Sequence, residues 1–513
     1  MGRLTKLFGG LLREAPPEES LVGMSTTRLP GGAVIRVKAD HPGAVYKKGD
    51  LIGTAYRVLG VLGLGGFSVV YLVYSHDTKS VYALKTLRDE YLGDKESRDQ
   101  FSKEAKVWVD LERNPYVVRA YFVEELAGRI YIGMEYIEPD EEGLNSLEGY
   151  LGRRSPDLVQ SLRWAIQFCH GMEHAQVCGI RCHRDVKPAN IMITREGVVK
   201  ITDFGFADVI DHTRARHATD PLRRRKRALL EFTGFGTPMY MPPEQFQNAD
   251  RCDQRSDIYS FGVVLYQMAS HGRFPYETKL RAHDMDKSAA TVWREMHRLH
   301  TDAYVVHLAS PLFPVIRRCL QKDPSSRYPT FLDLRLDMEP LLKKQGGEIV
   351  ESSRRDNLEA WELYNKAYSL SSLGHLDEAV RYYDKVLALE PGNTDAWNNK
   401  GVCLRKLGKL EQALACYDRA TENDRRNASA WSNRGNCLYT LGRYAEALSD
   451  LVKAVDIDPK NESAHLNKGL VEERLGRPSD AAASYRAFIA LNPVQYLAHV
   501  PFAKKRLADL KKH

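Results

Sequence analysis

The chain has 513 residues, 43% apolar and 27% charged, with a formal net charge of +7. Single cores rarely grow past ~250 to 300 residues, so this length excludes a one-domain protein. No apolar run approaches the ~20 residues that cross a bilayer, and the positive charge matters by location, being densest between Arg214 and Arg227.

Residues 1–53 are rich in Gly and Pro and read as an N-terminal arm. Leu4, Leu7, Phe8, Leu11 and Leu12 fall on one helical face beside basic residues, the pattern of an interfacial anchor, although Gly9 and Gly10 weaken it. Peripheral membrane contact through residues 3–13 is therefore weighed against a frayed arm. Arg3, Lys6 and Arg13 break the apolar residues and no cleavage pattern follows, so export is not expected. Lys6 also stands where a myristoylation signal wants Ser or Thr. The eight cysteines have neither paired zinc spacing nor a disulfide framework, which fits a reducing, cytoplasmic setting.

From Tyr56 the pattern changes. The runs 56–62, 69–74 and 81–87 are β-branched and aromatic, an antiparallel strand series, and beyond Leu158 the periodicity turns helical. Leu62, Gly63, Gly65, Gly66 and Ser68 lie in a Gly-rich turn whose backbone amides could close over phosphates, though such a hairpin alone is more often just a turn. Lys85 ends an otherwise buried strand, where an isolated ammonium carries a heavy desolvation penalty, so it must be paired. Glu104 on the next predicted helix is the natural partner, because Glu90 and Glu96 precede that helix's apolar face. His183 to Asn190 supply a carboxylate, Asp185, to accept a hydroxyl proton and an amide, Asn190, to coordinate metal. Asp203-Phe204-Gly205 adds a second carboxylate suited to magnesium.

Loop, lysine, helix glutamate, catalytic loop and metal aspartate occur in order, and over roughly 54–345 the chain resembles the eukaryotic-type protein kinase family in a bacterial style. The resemblance implies an α+β bilobal fold and transfer of the ATP γ-phosphate to protein Ser or Thr hydroxyls, with Mg2+, or Mn2+ in its place. It implies Asp185 as base, Lys187 as stabiliser of the transferring phosphate, and Asn190 and Asp203 as metal ligands. Leu62, Gly63, Gly65, Gly66, Ser68, Val70, Lys85 and Glu104 would surround the nucleotide, with Met134 and Glu135 as gatekeeper and first hinge residue. His183 becomes a packing residue, and its reading as a metal ligand with Cys178 and Cys182 carries little weight. Glu244 and Arg327 resemble a buried ion pair, and Asp257 the prop of the catalytic loop. Lys187 with Gly236-Thr237-Pro238 is the serine/threonine pattern.

Ser68 replaces the third loop glycine and Pro242 the usual alanine, so slightly altered nucleotide affinity is expected. Arg184, beside the base, suggests control by phosphorylation. Thr233 is the expected autophosphorylation site, and Thr237 the expected contact of Asp185 and Lys187. The basic stretch 214–227 reads as a solvated loop, with docking of acidic substrates as the sharper alternative; it lacks interleaved aromatics, and no DNA partner is expected. An inactive kinase-fold scaffold and a small-molecule kinase are the rival readings.

A linker is expected at 346–359. From 360 to 495 the chain repeats at 34 residues, with Leu-Gly pairs at 373, 407, 441 and 475 and alanines at 379, 413, 447 and 481. A small residue lets two helices approach and the Leu-Gly pair ends the first of them. These four units resemble tetratricopeptide repeats, which implies an all-α solenoid that binds a peptide or protein ligand. Residues 496–513 would form a capping helix. Asn365, Asn399, Asn433 and Asn467 recur at one helical position although asparagine is a poor helix former. They read either as a peptide-binding ladder or as bonds between neighbouring helices.

Overall fold

A computed structural model describes residues 44–206, 238–277, 289–348, 350–351, 358–491 and 499–510, with the backbone of strands at 24–28, 34–38 and 208–209. The chain forms two units, one joining residues up to Ala120 with Ile132–Arg355, the other joining Tyr121–Tyr131 with Asp356–His513.

The first unit opens on strands β1 (Met24–Arg28), β2 (Val34–Lys38), β3 (Leu51–Ile52), β4 (Tyr56–Leu64), β5 (Ser68–Ser75) and β6 (Val81–Leu87). They run antiparallel in the order β1-β2-β4-β5-β6, with β3 beside β4. The expected arm at 1–53 thus contains three strands. Val34, Ile35 and Val37 after Gly31-Gly32 carry a strand signal that the surrounding Gly and Pro obscured. Gly63 of β4 opposes Val70 of β5, which opposes Lys85 of β6, so three residues expected near nucleotide lie in one cross-strand row.

Two helices follow, α1 (Asp89–Leu92) and α2 (Lys95–Asp110), then strands β7 (Ala120–Leu126) and β8 (Arg129–Met134). Asp94 starts α2 by accepting the Ser97 N–H at 2.8 Å. The helical part contains α3 (Leu147–Arg153) and α4 (Leu158–Val177), the short strands β9 (Ile180–Cys182), β10 (Ile191–Ile193), β11 (Val199–Ile201) and β12 (Asp208–Val209), and then α5 (Pro243–Gln247), α6 (Gln254–Ala269), α7 (Ala289–Asp302), α8 (Phe313–Cys319) and α9 (Phe331–Lys344). Helix α6 is buried along nearly its whole length. Its Phe261 stacks on Phe168 of α4 with ring centroids 4.0 Å apart. A Cβ on Gly262 would stand 2.6 Å from the Cys319 Cβ, which shows how closely α6 and α8 approach. No helix among the described residues is long and apolar enough to cross a membrane.

The second unit is built from helix pairs: α10 (Ala360–Ser372) with α11 (Leu376–Leu389), α12 (Thr394–Lys406) with α13 (Leu410–Asn423), α14 (Ala428–Thr440) with α15 (Tyr444–Ile457), and α16 (Glu462–Arg474) with α17 (Pro478–Ala490). The first helix of each pair ends on a left-handed glycine, with φ of 82° at Gly374, 77° at Gly408, 78° at Gly442 and 70° at Gly476, a conformation other residues rarely adopt. Asn393, Asn427 and Asn461 accept the N–H of Ala396, Ala430 and Ala464 at 2.9 Å each, a series of N-caps that the sequence reading overlooked. The expected capping helix appears as α18 (Val500–Asp509), where Ala503 packs with Leu466, Tyr485 and Phe488 and Arg506 pairs with Glu473. Within the same unit the Val123 N–H donates to Ser369 Oγ at 2.8 Å.

Gly401 lies against Tyr417, whose ring would be 2.6 Å from an added Cβ, whereas Gly392 faces open space. Gly401→Ala is expected to cost ~1 to 3 kcal/mol by overpacking. Gly392→Ala should change little. Urea unfolding of the full chain followed by circular dichroism checks both.

Candidate active site

Strand β6 has six consecutive buried residues, and Lys85 is among them. Its Nζ lies 2.5 Å from Glu104 Oε1 and 2.8 Å from Asp203 Oδ1. Burial alone would lower the lysine pKa, but Asp203 and Glu104 overrule it and hold the ammonium above its ordinary range. Burial pushes the Glu104 carboxyl up against the pull of Lys85. For Asp203 burial also pushes upward, yet Lys85 wins and holds the group down to about 2. The expected choice of Glu104 is therefore the observed one, while Glu90 pairs with Arg88 at 2.7 Å.

The catalytic loop hangs from α6. Asp257 there accepts the His183 N–H at 2.7 Å, the Arg184 N–H at 2.9 Å and the Cys182 thiol at 3.3 Å. His183 is fully buried, bonds the Thr202 carbonyl through Nε2 at 3.1 Å and packs on Phe204. It is a packing residue, with burial lowering its pKa. Asp185 receives Lys187 Nζ at 2.7 Å and Asn190 Nδ2 at 2.9 Å, and Asn190 Nδ2 also reaches the Asp185 carbonyl at 2.8 Å. Burial raises the Asp185 pKa against the opposing pull of Lys187. Arg184 and Asp203 both hold positive φ, 66° and 64°, local strain of the kind that gathers at functional positions.

This arrangement joins a lysine, two aspartates and an asparagine from three separate stretches of chain, and comparison with known proteins places it. The Protein kinase domain model matches residues 56–335, more than half of the chain. The chain belongs to the protein kinase family. The Tetratricopeptide repeat model matches 364–415 and 404–462. The chain is 30% identical over 308 residues to a probable serine/threonine-protein kinase of Clostridium perfringens, covering 60% of this chain and 41% of that relative. It is 30% identical over 297 residues to serine/threonine-protein kinase PrkC of Bacillus subtilis, covering 57% and 41%. Against the PknA kinase of Corynebacterium glutamicum it is 32% identical over 285 residues, 55% of each chain. It thus spans about two-fifths of the length of the first two relatives.

Membership in the family implies ATP and a divalent cation. The donors fit a hard cation, since Asp203 offers a carboxylate held ionised and the bonds of the Asn190 amide to Asp185 use its nitrogen, which leaves oxygen chemistry for a metal. Around this centre the fold adds supports that the sequence did not announce. Lys200 on β11 pairs with Glu135 at 2.9 Å, and the Glu135 N–H reaches the Arg119 carbonyl at 2.8 Å. Met134 beside it is buried. The glycine after Phe204 is also required, because a Cβ on Gly205 would stand 2.9 Å from Glu104 Oε2.

Glu244 and Arg327 form the expected ion pair, bidentate at 2.7 and 2.9 Å, and Ser256 Oγ donates to Glu244 at 2.6 Å. Thr233, Thr237, the basic stretch 214–227 and the arm residues 3–13 lie outside the described residues. In the repeats, Asn365 and Asn467 occupy the expected position on α10 and α16. Asn399 donates to the Tyr364 hydroxyl at 2.9 Å and Asn433 to Asn398 Oδ1 at 3.0 Å, so both amides bond a neighbouring helix.

The Arg327 side chain has no exposed surface and that of Glu244 is 13% exposed. Arg327→Ala leaves the glutamate buried without its partner and is expected to destabilise the first unit by ~3 to 5 kcal/mol. Arg327→Ala combined with Glu244→Ala should recover part of that loss, as read from denaturant midpoints.

Proposed function

We propose that the protein is a serine/threonine protein kinase that transfers the γ-phosphate of ATP to hydroxyls of protein substrates, and that its repeat array recruits substrates or regulators. One observation carries this reading: the Lys85 ammonium is held between Glu104 and Asp203, while Asp185 is held by Lys187 and Asn190. Glu104 aims Lys85 toward the phosphates of a bound nucleotide. Asp185, fixed by Asn190 and kept more basic by burial, accepts the proton of the attacking hydroxyl. Lys187, 2.7 Å from that carboxylate, meets the charge on the transferring group. A divalent cation held by Asp203 and Asn190 would neutralise the phosphate oxygens.

The hydroxyl class is supported by Lys187 two residues beyond Asp185 and by the serine/threonine-protein kinase names of the three relatives. Ser68 is compatible with the loop, because its carbonyl accepts the Gly65 N–H at 2.8 Å in the turn that a glycine would make. A reducing compartment such as the cytoplasm is supported by the eight cysteines, none of which forms a disulfide and seven of which are buried. For the array, the helix-to-helix bonds of Asn399 and Asn433 favour a structural role for these two amides over direct peptide contact.

Asp185→Asn is expected to lower incorporation of labelled phosphate into protein by ~10²- to 10⁴-fold. An equally active variant would remove Asp185 as the base and with it the enzyme assignment. Since the base must be ionised and its pKa is raised, kcat/KM should climb with pH along a limb lying above the usual 3.8. A limb at or below that value contradicts the role. Replacing Asn399 and Asn433 by Ala together should lower the melting temperature of the array, at ~1 kcal/mol per lost bond. Unchanged melting with weaker binding of a co-purifying partner would instead support the peptide ladder.

A further inference from the structure

The glycine-rich turn is held by a residue that the transfer reading leaves unused. Arg88, one position past β6, donates from Nη1 to the carbonyl of Gly66 at 3.2 Å and to that of Gly65 at 3.4 Å. Its backbone N–H donates to the Phe67 carbonyl at 2.9 Å, and its Nη2 pairs with Glu90 at 2.7 Å. The Phe67 ring packs on Tyr91 of α1 with centroids 4.7 Å apart. The Arg88 side chain is only 14% exposed, which makes the guanidinium a fixed part of the turn.

A trans peptide plane carries its C=O and N–H on opposite sides, and none of the described peptide bonds is cis. Turning the Gly65 and Gly66 carbonyls toward Arg88 therefore turns the N–H groups of Gly66 and Phe67 away from it. Successive N–H groups presented together form a concavity that accepts anions. We propose that Arg88 is a positioning residue that pre-sets this turn as a cradle for the phosphates of the nucleotide, on the reading of the site given above. A loop already ordered spares the entropy of ordering on binding. The planar guanidinium suits the task because its fork reaches two carbonyls and a carboxylate at once, which a single ammonium does poorly.

The test compares the full chain with Arg88→Ala and Arg88→Lys, by hydrogen exchange of the 62–68 peptide without nucleotide and by calorimetric titration with MgATP and with adenosine. Arg88→Ala should speed exchange in the loop and weaken MgATP binding ~10- to 100-fold, the loss of a charged hydrogen bond, with adenosine binding unchanged. In steady-state assays the KM for ATP should rise while kcat holds. Arg88→Lys should recover only part of the affinity. Unchanged exchange, an equal loss for ATP and adenosine, or full recovery by Lys with the loop still exchanging fast would each overturn the proposal, the last by assigning the effect to charge alone. Failure of the unaltered chain to bind either ligand would instead sink the nucleotide reading, and the phosphate role with it, whatever the exchange shows.

Discussion

A positive charge buried in a β-sheet has to be neutralised from within the protein, and at Lys85 two carboxylates from distant stretches of chain do this together. Withdrawing either one would leave the other elements around an undercompensated charge, which is costly where water cannot enter. Helix α2, strand β6 and the segment after β11 are therefore fixed relative to one another by a single ammonium. Apolar contacts follow the same alignment: Trp108, one turn beyond Glu104, packs edge-on against Phe204, next to Asp203, with centroids 5.3 Å apart. Gln100, one turn before Glu104, donates to the Gly205 carbonyl at 3.0 Å. Glycine is needed at 205 because the Glu104 carboxylate already occupies the space of a side chain.

The catalytic loop solves a different problem, that of holding strained backbone without regular secondary structure. Arg184 and Asp203 adopt left-handed conformations that are unfavourable for non-glycine residues. They persist because Asp257, in a helix buried along nearly its whole length, fixes the N–H groups of His183 and Arg184, while His183 ties the loop to the Thr202 carbonyl next to Asp203. One carboxylate on a rigid helix thus sets the conformation of two strained positions, directly for Arg184 and through an imidazole for Asp203.

The parts of this site that were legible in the sequence share a property: each is either a short motif whose members are close along the chain or a charge on a buried strand that demands a partner. Asp185, Lys187 and Asn190 belong to the first kind, and Lys85 with Glu104 to the second. Lys200 with Glu135, and Arg88 with the glycine-rich turn, belong to neither. Those contacts depend on where strands happen to lie side by side, and a lone basic residue on a strand or at its end reads as ordinary surface. The hairpin of β1 and β2 was missed for a related reason, since its strands are short and the flanking Gly and Pro dominate the composition. In the repeats the Leu-Gly pairs were readable because a left-handed glycine has few substitutes. The capping asparagines at 393, 427 and 461 stand six residues before Asn399, Asn433 and Asn467 and share their period, so one series masked the other.

The basic residues that follow the repeated asparagines show how such a periodic surface is balanced. Lys400 pairs with Asp384 at 2.6 Å and Arg434 with Asp418 at 2.7 Å, the carboxylate in each case coming sixteen residues earlier on the preceding repeat's second helix. At the next step that position is Val452, and Lys468 turns instead to Glu472, four residues ahead on its own helix, at 2.6 Å. Neutrality is thus kept at three successive rungs although the residue that provides it changes. An acidic ligand approaching these rungs must compete with a carboxylate already in place, so net attraction there is weaker than the row of cations in the sequence suggests. The same cations are engaged a second time within the array, since Lys400 and Arg434 also lie over the rings of Trp397 and Trp431.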